Sequence, residues 1–301
     1  MQADLLLLLT AAIWGFAFVA QRMGMDHMGP FTFNALRFSL GALSLLPLHA
    51  WQRRHKKESA RPSQKRIFVP IILTGLTLFA GASLQQIGLV GTSAGKAGMI
   101  TGLYVILVPL LALLWGQRTH PAHWIGALLA VAGLYLLSVQ GSIRVSPYDL
   151  VVLAGAFAWA FHVHLVARYV KVVGPIRLAI FQFAICGLLS AGGAVLFETI
   201  QFSGIRDGLW PILYGAFLSV GVAYTLQVVA QRTADPTHAV VILSLEGAFA
   251  VLGGWWILGE SFTERVLLGC LLILTGTLVS QFWGKNNLTK GKHAEEVDTS
   301  S

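Results

Sequence analysis

Charge is what this sequence has least of. Only 13 acidic and 21 basic side chains occur in 301 residues, 11% of the chain, against 55% hydrophobic residues, and mean hydropathy is +0.70. Soluble domains carry about a quarter charged residues, so that class is excluded and the composition belongs in a bilayer. Cysteine is nearly absent too. Cys186 and Cys270 lie far apart in apolar segments, which excludes a disulfide framework and a cysteine metal motif. Strict apolar/polar alternation is missing, and a membrane barrel requires it. H-E-x-x-H and G-x-S-x-G do not occur, and Gly95-Lys96-Ala97 lacks the glycine spacing and final Ser/Thr of a phosphate loop. No enzyme, metal or cofactor is therefore expected.

What is present is apolar sequence in long runs. Ten segments reach the length needed to cross about 30 Å of hydrocarbon: 5–21, 31–50, 67–89, 93–115, 124–139, 150–168, 176–197, 210–230, 237–258 and 266–283. The first could be mistaken for a signal peptide, but no basic residue precedes it and it has its own copy at 150–165. It is expected to be a retained spanning helix.

That copy belongs to an internal duplication. At a constant offset of 145 residues, Asp4 matches Asp149, Trp14 matches Trp159, Phe16 matches Phe161, Gly29-Pro30 matches Gly174-Pro175, and Phe38 matches Phe183, without a gap. Farther on, Thr92 matches Thr233, and Gly116, Gly126 and Gly133 match Gly259, Gly269 and Gly276. Each copy holds five apolar runs, and an odd number per copy forces the second to enter the membrane upside down, as in many secondary transporters. The expected architecture is an all-α polytopic membrane protein with ten transmembrane helices in two inverted five-helix repeats, residues 1–140 and 141–284, followed by a polar tail, 285–301.

The basic residues orient it. Loop 51–66 holds seven Lys/Arg, and by parity eight more fall on its side against five on the other, with Arg37 left over inside the second run. The bias of 15 to 5 predicts both termini in the cytoplasm and the chain in the cytoplasmic membrane. Contact with anionic membrane lipids explains the formal charge of +8 better than nucleic acid does. The sequon Asn287-Leu288-Thr289 would then lie on the wrong side for glycosylation.

Small residues mark helix contacts: Gly91/Gly95, Gly98/Gly102, Gly126/Gly133 and Gly269/Gly276 each share a helix face, readable as sliding contacts or as static packing. Ionisable groups inside a membrane are costly and mark function by default, which singles out Arg37 and Glu246. Asn34 lies three residues before Arg37, on the same face, where a guanidinium fork could hold a carboxylate; a structural ion pair is the other reading. Glu246 is a candidate for exchanging a proton. Trp14 and Trp159 sit deep in equivalent helices, away from the interfacial belts, and either flank a cavity or pack. His162 shares the face of Trp159, whereas His164 lies about 200° away, so the two do not form a metal site. Tyr104, and Tyr224 with Gln227, are polar enough to line a cavity. Lys96 is expected to reach water by snorkelling.

The motifs Trp14-Gly15, Asn34-Ala35-Leu36-Arg37-Phe38, the run Thr92 to Leu110, Ile242-Leu243-Ser244-Leu245-Glu246 and Leu258-Gly259-Glu260 together resemble the ten-helix EamA-type carriers of the drug/metabolite transporter superfamily, over about residues 4–283. The resemblance implies an exporter or exchanger of a small polar metabolite, amino acid or drug, with its substrate near mid-membrane. Gly247 departs from that pattern, where proline is usual, and so does Gln117, where the first copy often carries a charge like Glu260. A flippase for a lipid or sugar conjugate is the alternative within transport, and an intramembrane enzyme or a non-transporting receptor is the alternative outside it.

Overall fold

The computed structural model describes residues 2–55, 64–114, 116, 121–138, 146–260, 263–265, 267–269, 271–276 and 278–279. The tail 285–301, residues 56–63 of loop 51–66, Gln117 and Cys270 lie outside the described residues. The described chain is nearly all helix, without a strand. Its elements are α1 (Gln2–Gly24), α2 (Pro30–Ser44), α3 (Leu46–His55), α4 (Gln64–Gly88), α5 (Ala94–Gly102), α6 (Tyr104–Leu114), α7 (Pro121–Ser138), α8 (Pro147–Val173), α9 (Pro175–Phe197), α10 (Phe202–Asp207), α11 (Leu209–Leu213), a π-helical stretch (Tyr214–Tyr224), α12 (Thr225–Ala230), α13 (Pro236–Leu243) and α14 (Leu245–Leu258).

Eight stretches are long and apolar enough to cross a membrane, from Gln2–Gly24 to Pro236–Leu258. The run expected at 124–139 forms α7, and the described part of the run expected at 266–283 includes the apolar helix Leu267–Gly276.

Helix entries follow local sequence chemistry. Ser146 and Asp149 form a capping box at α8, Asp235 caps α13 ahead of Pro236, and Ser93 caps α5. Gly174, at φ +85°, turns the chain from α8 into α9, with Pro175 opening the new helix. At Gly29 no side chain of α2 provides the cap. Glu198, at the end of α9, supplies it, accepting from the Phe31 and Thr32 amides at 2.7 and 2.8 Å and from the Thr32 hydroxyl at 2.6 Å.

The second run is interrupted at Leu45, whose amide reaches back to Ala42, because Pro47 has no amide to continue the ladder. The fourth and ninth runs, expected to be continuous, are each broken once, at Leu103 and Ser244. At both breaks an amide reaches back only three residues, Ile106 to Leu103 and Gly247 to Ser244. The two positions are 141 residues apart, the offset that relates Thr92 to Thr233. The ninth run thus breaks without a proline, at a tight turn that uses the amide a proline at position 247 would lack.

α1 packs against α14 and the π-helical stretch, α4 against α8, and α2 against α9. Glycines set the closest approaches. A Cβ on Gly15 would meet Phe249 and the Glu246 carbonyl, one on Gly133 the Gly269 carbonyl, and one on Gly276 the Gly126 carbonyl. The last two contacts are reciprocal across the duplication, and they bring backbones as close as small residues in membrane helices permit.

Candidate functional site: a cavity lined by both copies

The helix breaks and the π-helical stretch border a small cavity. α1 contributes Trp14, Phe18 and Gln21, and α2 contributes Arg37. Thr101 and Tyr104 flank the break at Leu103, and Leu243 and Glu246 flank the break at Ser244. Discontinuous helices are a recurring way to bring polar groups to mid-membrane.

The π-helical stretch turns its carbonyls toward α1. Trp14 Nε1 donates to the Ser219 carbonyl at 3.2 Å, the Thr10 hydroxyl to the Ala223 carbonyl at 3.2 Å, and the Tyr214 hydroxyl back to the Ile13 carbonyl at 3.0 Å. Widened π turns are frequent at functional sites. The second indole, Trp159, is held by Gln85: its Nε1 donates to Gln85 Oε1 at 2.9 Å, and Gln85 Nε2 donates to Gln21 Oε1 at 3.0 Å. Both indoles contact Tyr224, with ring centroids 4.5 Å from Trp14 and 6.0 Å from Trp159. Gly81 makes room for the second, since a Cβ there would stand 2.9 Å from the indole.

Arg37 is 1% exposed. Its Nε donates to Asn34 Oδ1 at 2.9 Å, Asn34 Nδ2 donates to the Ala82 carbonyl at 3.1 Å, and the guanidinium lies over the rings of Phe33 and Phe38. Such stacking suits a planar, weakly hydrated cation. Nη2 has no hydrogen-bond partner. Glu246, 3% exposed, lies within electrostatic reach of the Tyr104 hydroxyl, and its Oε1 is also unpartnered. Among the described residues no ion pair joins Arg37 to Glu246.

Seven of the nine residues singled out by sequence therefore line one cavity: Trp14, Arg37, Tyr104, Trp159, Tyr224, Gln227 and Glu246. Asn34 and His162 do not. Asn34 lies behind Arg37 and orients it, while His162 is fully buried against Trp159, with Nε2 2.9 Å from Gln182 Oε1. Gln21, Gln85, Thr101 and Ser219 also line the cavity but were not singled out. Gln21 lies seven residues after Trp14 and Thr101 three before Tyr104, so both share a face with a chosen residue; Gln85 carries no such signal.

Lys96 is not a simple snorkelling lysine. Its Nζ meets Asp149 Oδ2 at 2.6 Å, and Asp149 Oδ1 accepts from the Thr92 hydroxyl at 2.9 Å. Just beyond α14, Glu260 accepts from the Gly95 and Ala94 amides, with Arg22 near. Burial holds its carboxyl above the ordinary range, the amides and Arg22 pulling the other way.

This sequence matches the EamA-like transporter family twice, over residues 1–139 and 146–282. The chain belongs to that family. It is 33% identical over 279 residues to an uncharacterized transporter of Archaeoglobus fulgidus, covering 92% of this chain and 85% of that one. It is 30% identical to the threonine/homoserine exporter RhtA of Escherichia coli K12, covering 92% and 90%, and 26% identical to the inner membrane transporter YedA of the same strain, covering 86% and 85%. A crystal structure superposes with a TM-score of 0.77 at 21% identity, covering 94% of this chain and 98% of the other; that likeness is one of fold. The protein is an integral membrane transporter, and its cargo is a small molecule.

Proposed function

We propose that this is a secondary carrier that moves a small polar solute across the cytoplasmic membrane by alternating access, as an exporter or exchanger and without catalysis. In this reading ten spanning helices form two inverted repeats, residues 1–140 and 141–284, with both termini in the cytoplasm and the binding site between the repeats. Reciprocal glycine contacts and equivalent helix breaks support the inversion. Labelling of single cysteines at Ser59 and Ser300 by an impermeant reagent only in opened cells is the outcome the orientation requires.

One observation carries the functional reading. Five cavity side chains, Arg37, Thr101, Tyr104, Gln227 and Glu246, each present a buried polar atom outside any well-formed hydrogen bond, with the Tyr104 hydroxyl and the Glu246 carboxyl directed at each other. A buried unsatisfied polar group costs about 1–3 kcal/mol, more if charged, and a polar solute offsets that cost by bonding to several at once. Arg37 suits a carboxylate and Glu246 an ammonium group, while the indoles and Tyr224 enclose the remainder. A substrate with both charges, such as the amino acids named for the RhtA relative, meets both ends. Glu246 is also the carboxylate placed to exchange a proton when substrate leaves.

Sealed liposomes containing only this protein provide the test. Uptake or release of threonine, homoserine or another polar metabolite, faster than in protein-free liposomes, is expected. Lipid scrambling without solute flux would replace the carrier by a flippase, and chemical conversion of the solute would replace it by an enzyme.

A further inference from the structure

The two equivalent indoles end in different bonds. Trp14 Nε1 donates to a backbone carbonyl, that of Ser219, and the series of side-chain bonds stops there. Trp159 Nε1 donates to a side chain, Gln85 Oε1 at 2.9 Å, and Gln85 Nε2 donates onward to Gln21 Oε1 at 3.0 Å. An indole N–H can only donate, so it fixes the sense of both carboxamides: Gln85 must turn its oxygen to Trp159 and its amide nitrogen to Gln21, and Gln21 must answer with its oxygen. What Gln21 has left is its own amide nitrogen. Gln21 is 3% exposed and lines the cavity, and its Nε2 makes no hydrogen bond to any described residue. Gln86 holds the same turn of α1, its Nε2 donating to the Gln21 carbonyl at 3.2 Å. Gln227, also in the lining, has no obligate donor fixing its amide among the described residues, so it can offer either end. The copy of Gln21 at the 145-residue offset is Val166; the arrangement is made once.

We propose that Trp159 is a positioning residue for solute selection: through Gln85 it holds the Gln21 amide with its N–H donors toward the cavity, so that this part of the site takes an uncharged oxygen acceptor of the solute and refuses an ammonium group. The inference rests on the reading of Arg37 and Glu246 as the partners of a zwitterion, and adds a third contact to it. The new donor lies on the Arg37 side. On α4 the Ala82 carbonyl holds Asn34, which holds Arg37, and Gln85 follows three residues later, about 4.5 Å along the axis. α4 thus backs two groups that can only donate to the cavity. Glu246 approaches α1 at another level: a Cβ on Gly15 would meet its carbonyl, and Gly15 stands six residues, about 9 Å, before Gln21. The solute that fits is a zwitterion with a hydroxyl, ether or carbonyl oxygen besides its carboxylate. Selection needs no charge at Gln21. An ammonium group facing a buried amide N–H leaves donors on both sides unpaired, and such a mismatch costs more than a matched bond contributes.

The test uses three amino acids on one skeleton that differ only at the terminal group: homoserine with a hydroxyl, O-methylhomoserine with an ether oxygen, and diaminobutyrate with an ammonium group that has no lone pair. The affinity of the purified full chain for each is read from the rise of its unfolding temperature with solute concentration at neutral pH. Both oxygen compounds are expected to bind roughly 10- to 100-fold more tightly than diaminobutyrate. Trp159→Phe frees the two carboxamides to turn over and is expected to cut that ratio about two- to tenfold; Gln85→Met, which interrupts the series in the middle, does the same. Gln21→Leu removes the amide that reads the solute, so Trp159→Phe leaves the ratio unchanged in that background. An indole that merely packs would alter the affinity for all three compounds together. The ratio is internal to each variant, so a less stable variant still reports it. No binding of either oxygen compound, equal or tighter binding of diaminobutyrate, a ratio indifferent to Trp159→Phe, or an effect of Trp159→Phe that persists beside Gln21→Leu would overturn the proposal. The zwitterion reading fails separately. Binding that survives Arg37→Gln/Glu246→Gln, with a ratio that still depends on Trp159, removes the two charges and leaves the selection; binding lost in that variant, with a ratio indifferent to Trp159, does the reverse.

Discussion

The two sequence copies give the cavity the same indole and different charges. Trp14 and Trp159 are equivalent, and both line the cavity and contact Tyr224. Arg37, from the first copy, has Gln182 as its equivalent, and Gln182 lies outside the cavity lining, bonded to His162. Glu246, from the second copy, has Val105 as its equivalent at the 141-residue offset. The scaffold is thus duplicated while each copy contributes one ionisable side chain of its own. Packing constraints are shared by both copies, so large rings and small glycines recur. In the proposed reading the solute binds in one orientation at a time, so its charged ends need only one partner each.

The sharpest break of this comparison is to give Arg37 its own copy's residue. Arg37→Gln and Glu246→Gln are each expected to lower solute flux in liposomes roughly 10- to 100-fold, the range for losing a charged hydrogen bond, with the protein still folded. If Glu246 also carries the proton, Glu246→Gln removes the pH dependence of whatever flux remains. Unchanged flux in both variants would reduce the asymmetry to packing. Trp14→Phe and Trp159→Phe test the shared half. Each deletes one indole donor, and a loss of about 0.5–1.5 kcal/mol corresponds to a two- to tenfold rise in the half-saturating solute concentration; a large effect at only one of them would show that the copies differ there as well. Gly81→Ala forces the Trp159 indole aside and is expected to cost about 1–3 kcal/mol of stability, read as a lower unfolding temperature. Smallest is Glu198→Ala, which strips the cap from α2. It should cost about 1 kcal/mol and leave the half-saturating concentration unchanged.

Much of this arrangement was legible because the bilayer restricts the options. Long apolar runs became helices, and Gly-Pro, Ser-Pro and Asp-Pro became their entries. The deep positions of Trp14, Arg37 and Glu246 marked the cavity because charge and indole N–H groups have few other uses at that depth. Three features escaped. The breaks at Leu103 and Ser244 have no proline at the turn; Gly102 adjoins the first and Gly247 closes the second, but glycines are common in membrane helices and do not by themselves announce a break. The role of Asn34 was half seen: it does meet Arg37, but its amide bonds the guanidinium and the Ala82 carbonyl and does not line the cavity. The contacts of Lys96 with Asp149 and of His238 with Asp4 join residues 53 and 234 apart; neither separation is visible in helical periodicity.

The central claim is that a solute binds between Arg37 and Glu246. Thermal unfolding of the purified protein, followed across a panel of amino acids, sugars, purines and cationic drugs, tests it directly, because a ligand that binds the folded state raises its unfolding temperature by mass action. At least one zwitterionic compound is predicted to stabilise the unaltered protein and to lose that effect in the Arg37→Gln/Glu246→Gln double variant. A compound that stabilises both proteins equally, with none depending on the two charges, would contradict the account.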